Sequence, residues 1–251
     1  MKRKIYIILS LLGCLFLSNC NKTTTPKTGT IKISFRNVVG TQPILLDGTT
    51  YTNPFGEKYS ITHLKYYISN ICLINNTNKI VEKESYHLID QNLPTSLSFN
   101  FTTQENTFTA LQFVIGVDSL RNVSGAQSGA LDPLNDMFWT WNSGYIMAKM
   151  EGVSPQSNQA GSKIVYHIGG FSGANSVLKT IQLSFPSGKK LLVEQGKINE
   201  INLEADLNLW WQNNNTIKIA EHPVCTTPGV MAKTIAENYS SMFSIKEIVN
   251  N

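Results

Sequence analysis

The sequence predicts an all-β protein: a single β-sandwich or jelly-roll-like domain of about eight to ten strands, with a long irregular loop and a short C-terminal helix. Three observations predict it. Apolar and polar residues alternate with a period of two, as in Ile31-Lys32-Ile33-Ser34-Phe35-Arg36 and again from Ile201 to Leu207. Turn signals such as Asp47-Gly48, Asn53-Pro54-Phe55-Gly56 and Pro186-Ser187-Gly188 separate the alternating runs. Charged residues make up only 15% of the chain while Asn, Ser and Thr are plentiful, as expected of a strand-and-turn protein outside the cell.

The chain opens with a targeting segment. Lys2, Arg3 and Lys4 form a charged start, Ile5 to Phe16 is a short apolar run, and Leu17-Ser18-Asn19-Cys20 stands where a cleavage site belongs. The apolar run is short for a membrane span. A Cys at this point is similar to a bacterial lipoprotein box. Residues 1–19 are then the signal peptide, Cys20 the lipidated mature N-terminus, and 20–29 a polar tether. No acidic run follows Cys20, which favours an outer-membrane anchor facing the periplasm. Residues 30–251 form one domain, without internal repeat or second-domain boundary. Losing Lys2, Arg3 and Lys4 takes the formal charge from +4 to about +1, so a nucleic-acid partner has no electrostatic support.

Within the domain, Ile61 to Ile74 is a β-rich run with apolar residues on both faces, as for a central strand. Asn75 to Asn78 is a hairpin connection and Glu84 to Asp90 the return strand. Phe108 to Val117 sets Leu111, Phe113, Ile115 and Val117 on one face. Tyr145 to Glu151, Lys163 to Ile168, Val177 to Phe185, Lys190 to Glu194 and the run Ile201 to Leu207 supply the remaining strands. The period then changes. Thr227-Pro228 reads as N-cap and first helical residue, and Met231, Ile235, Tyr239 and Met242 form one helical stripe.

Between Gly116 and Gly152 lies a long polar loop that ends in Phe138-Trp139-Thr140-Trp141. Loops of this length are usually functional or disordered, and bulky aromatic groups need something to pack against. If the segment is extended, Trp139 and Trp141 project to the same side. Such a pair reads either as core or as a sugar-stacking platform. Asp118, Asn122, Asp132 and Asp136 in the same loop read either as an oxygen-rich calcium site or as ordinary Asx turns.

No Gly-x-Ser-x-Gly elbow, His-Glu-x-x-His helix or phosphate loop is present, so no catalytic residue is assigned. Histidine is scarce. His63 and His87 sit in strands amid Tyr and Leu and read as satisfied rings. His167 lies opposite the Ile164, Tyr166, Ile168 face, and Gly169-Gly170 after it leaves the imidazole room to meet another group. His222 shares a loop with Cys225, with Met231 a little further on, a combination that suits copper or zinc. Cys14 lies in the signal and Cys20 carries lipid. Cys72 and Cys225 remain, either paired in an oxidising compartment, worth about 4–5 kcal/mol in the chain-entropy model, or apart.

The stretches GVDSLRN, GALDPLNDMFWTWNSGYIMAKMEG, YHIGGF and AEHPVCTTPG together resemble the MbnP-like copper-binding proteins, over about residues 30–245. The resemblance implies a β-rich envelope domain that binds one copper ion and is not an enzyme. It also implies that a Trp is oxidised to kynurenine by a di-haem partner of the MauG type. Ring opening supplies lone pairs that indole, whose polar atom is an N–H donor, does not have. Carried over by motif, Trp139 and Trp141 are the residues to be modified, Trp141 ahead because Asn-Ser-Gly after it permits an exposed turn. His167 and then His222 are the imidazole ligands, with His63 and His87 in reserve. A soft, low-charge site favours copper over calcium. The rival expectation is an envelope binding module for glycan or protein, without metal, using Trp139, Trp141, Trp210 and Trp211 as apolar contacts.

Overall fold

The computed structural model describes residues 26–76, 78–140 and 143–251. The signal peptide, the Cys20 lipidation site and the start of the tether therefore lie outside the described residues, as does Trp141.

In chain order the first elements are β1 (Thr28–Val39), β2 (Gln42–Pro43), β3 (Tyr51–Thr52), β4 (Lys58–Ile74), β5 (Lys79–Val81) and β6 (Tyr86–Asp90). Next come β7 (Ser98–Gln104), β8 (Asn106–Phe108), β9 (Ala110–Ile115), the one-turn helix α1 (Ser119–Asn122), β10 (Phe138–Thr140) and β11 (Gly144–Val153). The chain ends with β12 (Lys163–Gly169), β13 (Lys179–Ser184), β14 (Leu191–Val193), β15 (Ile198–Asp206), α2 (Asn208–Trp211), β16 (Val224–Cys225), α3 (Val230–Tyr239) and β17 (Phe243–Val249).

These strands make two sheets and a small ribbon of β8 and β14. In the first sheet β1 lies between β15, which runs parallel to it, and the antiparallel β7. Period two explains its faces. Ile31, Ile33 and Phe35 are buried, while Lys32 and Arg36 point out and meet Glu200 and Glu204 of β15 at 3.6 and 3.1 Å. The second sheet runs β13-β9-β4-β11-β12-β16. Its spine is the 17-residue β4, which pairs β11 through Ser60–Tyr66 and β9 through Ile68–Ile74. The sheets face each other across an aromatic core, with Phe35 edge-on to Tyr66 and Phe113 edge-on to Phe243. The all-β sandwich-type fold and its short C-terminal helix are thus present.

Three expectations need correction, and one open alternative is decided. The C-terminal helix starts at Val230, not at Pro228, because Gly229 takes φ 158 and breaks the run. Ile235 and Tyr239 bury its stripe, whereas Met242 lies beyond the helix and leads into β17, a strand the apolar count had merged with it. Trp210 and Trp211 are each 1% exposed, so neither is a surface contact. Their indole N–H groups donate to Met242 Sδ at 3.3 Å and Tyr59 Oη at 3.2 Å. Cys72 and Cys225 are both free and buried. Cys225 stands in register with Tyr166, Met150 and Leu64 across three strand spacings, and Cys72 is eight residues further along β4. The separation, on the order of 25–30 Å from strand geometry, is far beyond disulfide reach.

Candidate functional site

The long loop is ordered by its own polar residues. Asp118 caps α1 through the Arg121 N–H and also accepts the Tyr86 hydroxyl and an Asn70 N–H. Asn122 donates to the Val117 and Asp118 carbonyls and accepts the Tyr145 N–H at 2.8 Å. Asp132 caps the turn 133–135 and Asp136 pairs with Lys149. Their side chains are spent on these local contacts, and among the described residues no group that could hold a metal ion is found, so of the two readings of these residues the local-turn one fits and the calcium one does not. After the loop, β10 folds back antiparallel onto β11, with Phe138 opposite Tyr145.

Beside β10, the outer face of β4, β11 and β12 carries the polar residues of three strands that are otherwise apolar. Leu64, Tyr66, Ala148, Met150, Tyr166 and Ile168 turn inward and are buried. Residues of the other parity therefore face outward: His63 and Lys65 on β4, Lys149 and Glu151 on β11, His167 and Gly169 on β12. Glu151 lies between the two histidines. Its Oε1 is 2.6 Å from His167 Nε2 and its Oε2 is 3.3 Å from His63 Nδ1, with Lys149 Nζ at 3.5 Å. Burial alone pushes the Glu151 carboxyl up. The His167 hydrogen bond and the positive charge of Lys149 outweigh that and hold it below the ordinary carboxylate range.

Trp139 lies against Gly169, at the β12 end of this face. A Cβ built on Gly169 would sit 2.5 Å from Trp139 Cζ3 and 2.8 Å from Cη2. The indole thus lies against the Gly169 backbone, two residues along the same strand face from His167, and any larger residue at 169 would displace it. The small residues after His167 make room for the indole, not for the imidazole.

The family model described as MbnP matches residues 28–231. The chain belongs to the MbnP family. Among solved structures it is similar to MbnP from Methylosinus trichosporium, with a TM-score of 0.54 and 13% identity. The match covers 76% of this chain and 80% of that one, and at that identity it shows a shared fold. No curated protein matches the sequence. Membership of the MbnP family links the chain to copper handling in general.

The histidines of this MbnP-family chain fall into three situations. His63 and His167 meet at Glu151, so a ring read from the sequence as merely satisfied stands beside the foremost candidate. His222 does not join them. Its backbone N–H donates to the Lys218 carbonyl at 2.9 Å and its carbonyl accepts the Tyr166 hydroxyl at 2.6 Å. Among the described residues its ring makes no hydrogen bond or ion pair. Cys225, three residues on, is buried, which pushes its thiol up. His87 is stacked on Phe99, with ring centroids 3.5 Å apart and planes 4° off parallel, and bonds to Glu82 at 3.2 Å.

Among the described residues no three His, Cys, Asp or Glu side chains group so as to hold a metal ion by themselves. The donor chemistry nonetheless fits copper in one respect. Each imidazole turns one ring nitrogen to Glu151, His63 Nδ1 also lying 3.3 Å from Thr62 Oγ1, and among the described residues no hydrogen bond engages the other, the carboxylate–histidine arrangement typical of metal-ligating histidines. Two imidazoles then need a further donor from a neighbouring segment. Glu151 and Lys149 themselves were not singled out from the sequence. The signal was available: GYIMAKMEGV is an apolar strand interrupted only by two charges, two residues apart.

Proposed function

We propose that this MbnP-family chain is a copper-binding protein of the cell envelope, anchored through lipid on Cys20 in the outer membrane and facing the periplasm, which carries copper and catalyses no reaction. Copper is held by His63 and His167, with Glu151 orienting both rings. The remaining donor comes from Trp139 or Trp141 after oxidation to kynurenine by a MauG-like di-haem enzyme. The observation that supports this reading best is the convergence of two histidines from strands flanking β11 on one carboxylate, beside the indole of Trp139. It replaces His222 by His63 in the expected ligand pair. The rival glycan- or protein-binding module loses Trp210 and Trp211 as contacts, since both are in the core.

The test is metal analysis of protein purified from its own envelope, together with mass spectrometry of the peptide containing Trp139 and Trp141. The expected result is stoichiometric copper and one Trp that has gained an oxygen and lost a carbon. Copper-free protein with two intact tryptophans, from copper-replete cells, would sink the proposal and leave the metal-free envelope module. Anchoring is checked separately: Cys20→Ala should move the protein from the membrane to the soluble fraction.

A further inference from the structure

Lys65 of β4 and Lys149 of β11 are direct cross-strand partners. Two ammonium groups placed opposite each other destabilise an antiparallel pair, and a buried one needs partners. Lys149 has a side chain only 4% exposed, while Asp136, the acid it pairs with, is 78% exposed. Both lysines therefore hold charge where a sheet surface alone would not favour it, and they spend it on two adjacent residues of the loop, one each. Lys149 Nζ donates to the Asp136 carbonyl at 3.0 Å and to its carboxylate at 2.5 Å. Lys65 Nζ donates to the Asn135 carbonyl at 3.1 Å and pairs with Asp90 at 3.3 Å. Asp136 itself sits at φ 60, ψ 35, a left-handed conformation that non-glycine residues seldom adopt.

The residues so fastened lead directly into the aromatic segment. Met137 follows, fully buried, and its carbonyl accepts the Ile146 N–H at 2.8 Å. Phe138 then pairs with Tyr145, and Trp139 lies on Gly169. From the other side, Lys149 reaches the carboxylate that His63 and His167 share. One ammonium thus touches both the loop that brings the indole and the group that would hold the metal.

We infer that Lys149, assisted by Lys65, is a positioning residue: it clamps residues 135–136 to the sheet and so fixes the Trp139 segment relative to His63, Glu151 and His167. The inference rests on reading that group as the metal site, but its first measurement does not.

The experiment compares the mature protein with Lys149→Met, a substitution that keeps side-chain length and removes the charge. Hydrogen exchange of the metal-free proteins is expected to rise by roughly tenfold over residues 137–140 and 143–146 and to stay unchanged over β1 and β15. Copper affinity by chelator competition is expected to fall by roughly tenfold. Asp136→Asn, at a solvent-facing side chain, keeps the carbonyl bond and should show the same local pattern at about threefold. It carries the test if Lys149→Met does not fold. Unchanged exchange over 137–140 and 143–146, or an equal rise over β1 and β15, would overturn the clamp. So would loosened exchange without loss of copper affinity, provided His63→Ala and His167→Ala do lose copper. If those two variants bind copper normally while exchange responds, the metal reading fails and the clamp alone stands.

Discussion

Two histidine–carboxylate groups stand on the second sheet. His87, on β6, takes its carboxylate from Glu82, five residues earlier in the turn that precedes the strand, and Glu82 also accepts the Ser85 hydroxyl at 2.8 Å. Its ring face is covered by Phe99. His63 and His167 instead come from the two strands that flank β11 and share Glu151, 16 residues from His167 and much further from His63 along the chain. The first group is local and closed, since one ring has its nitrogen and its face satisfied by near neighbours. The second is convergent, and open on its His63 side at 48% exposed, while His167 at 19% is as covered as His87 at 20%. A carboxylate in a turn caps what is next to it, whereas a carboxylate on a central strand gathers side chains from both neighbours.

The contrast can be broken most directly at the imidazoles. His167→Ala and His63→Ala should each lower copper affinity by at least about 100-fold, by analogy with the 10–100-fold that even indirect ligand partners cost. His87→Ala should stay within about threefold of the parent protein by the same chelator competition. Equal losses in all three would erase the distinction. The carboxylates come next. Glu151→Gln should weaken copper binding by about 10–100-fold with the fold intact, and Glu82→Gln should leave it unaltered.

A smaller effect runs the other way. His87→Ala removes the stacked pair with Phe99 and should lower unfolding free energy by about 1 kcal/mol, read in urea denaturation, while His63→Ala, at a half-exposed ring, should cost less. The smallest effect is on acid stability. The folded Glu151 carboxyl is held below its unfolded value, so its contribution is present above about pH 4.3 and is lost as pH falls through the lower folded value. Wild-type stability should therefore drop more steeply than that of Glu151→Gln below that pH, by under about 1 kcal/mol. Parallel acid limbs would mean that His167 and Lys149 do not stabilise the carboxylate.

Strands with clean alternation were legible in the sequence because burial on one face writes a period of two. β1 and β15 are such strands, and the apolar run of β4 announced a central strand, covered on both faces in its second half and open at His63 in its first. The C-terminal region was harder. Met242 continues the spacing of Ile235 and Tyr239, yet Phe243 already belongs to β17, because apolar spacing alone does not mark where a helix stops. Trp210-Trp211 offered no cue to burial beyond hydrophobicity, and their N–H partners, Met242 and Tyr59, are remote in sequence.

By itself the sequence determined the all-β class, most strand positions, the aromatic segment beside the loop and, through its motifs, the MbnP family. Those properties depend on local periodicity and on short contiguous blocks. Only the tertiary structure decided which histidines meet. His63 and His167 carry no mark of one another in the chain. They are neighbours because β11 pairs with β4 on one side and β12 on the other, in registers that bring Glu151 to both. The same registers keep Cys72 from Cys225 and leave His222 apart. Strand pairing is a long-range choice made by the packing of whole faces, and side-chain convergence across it is not written in any one segment.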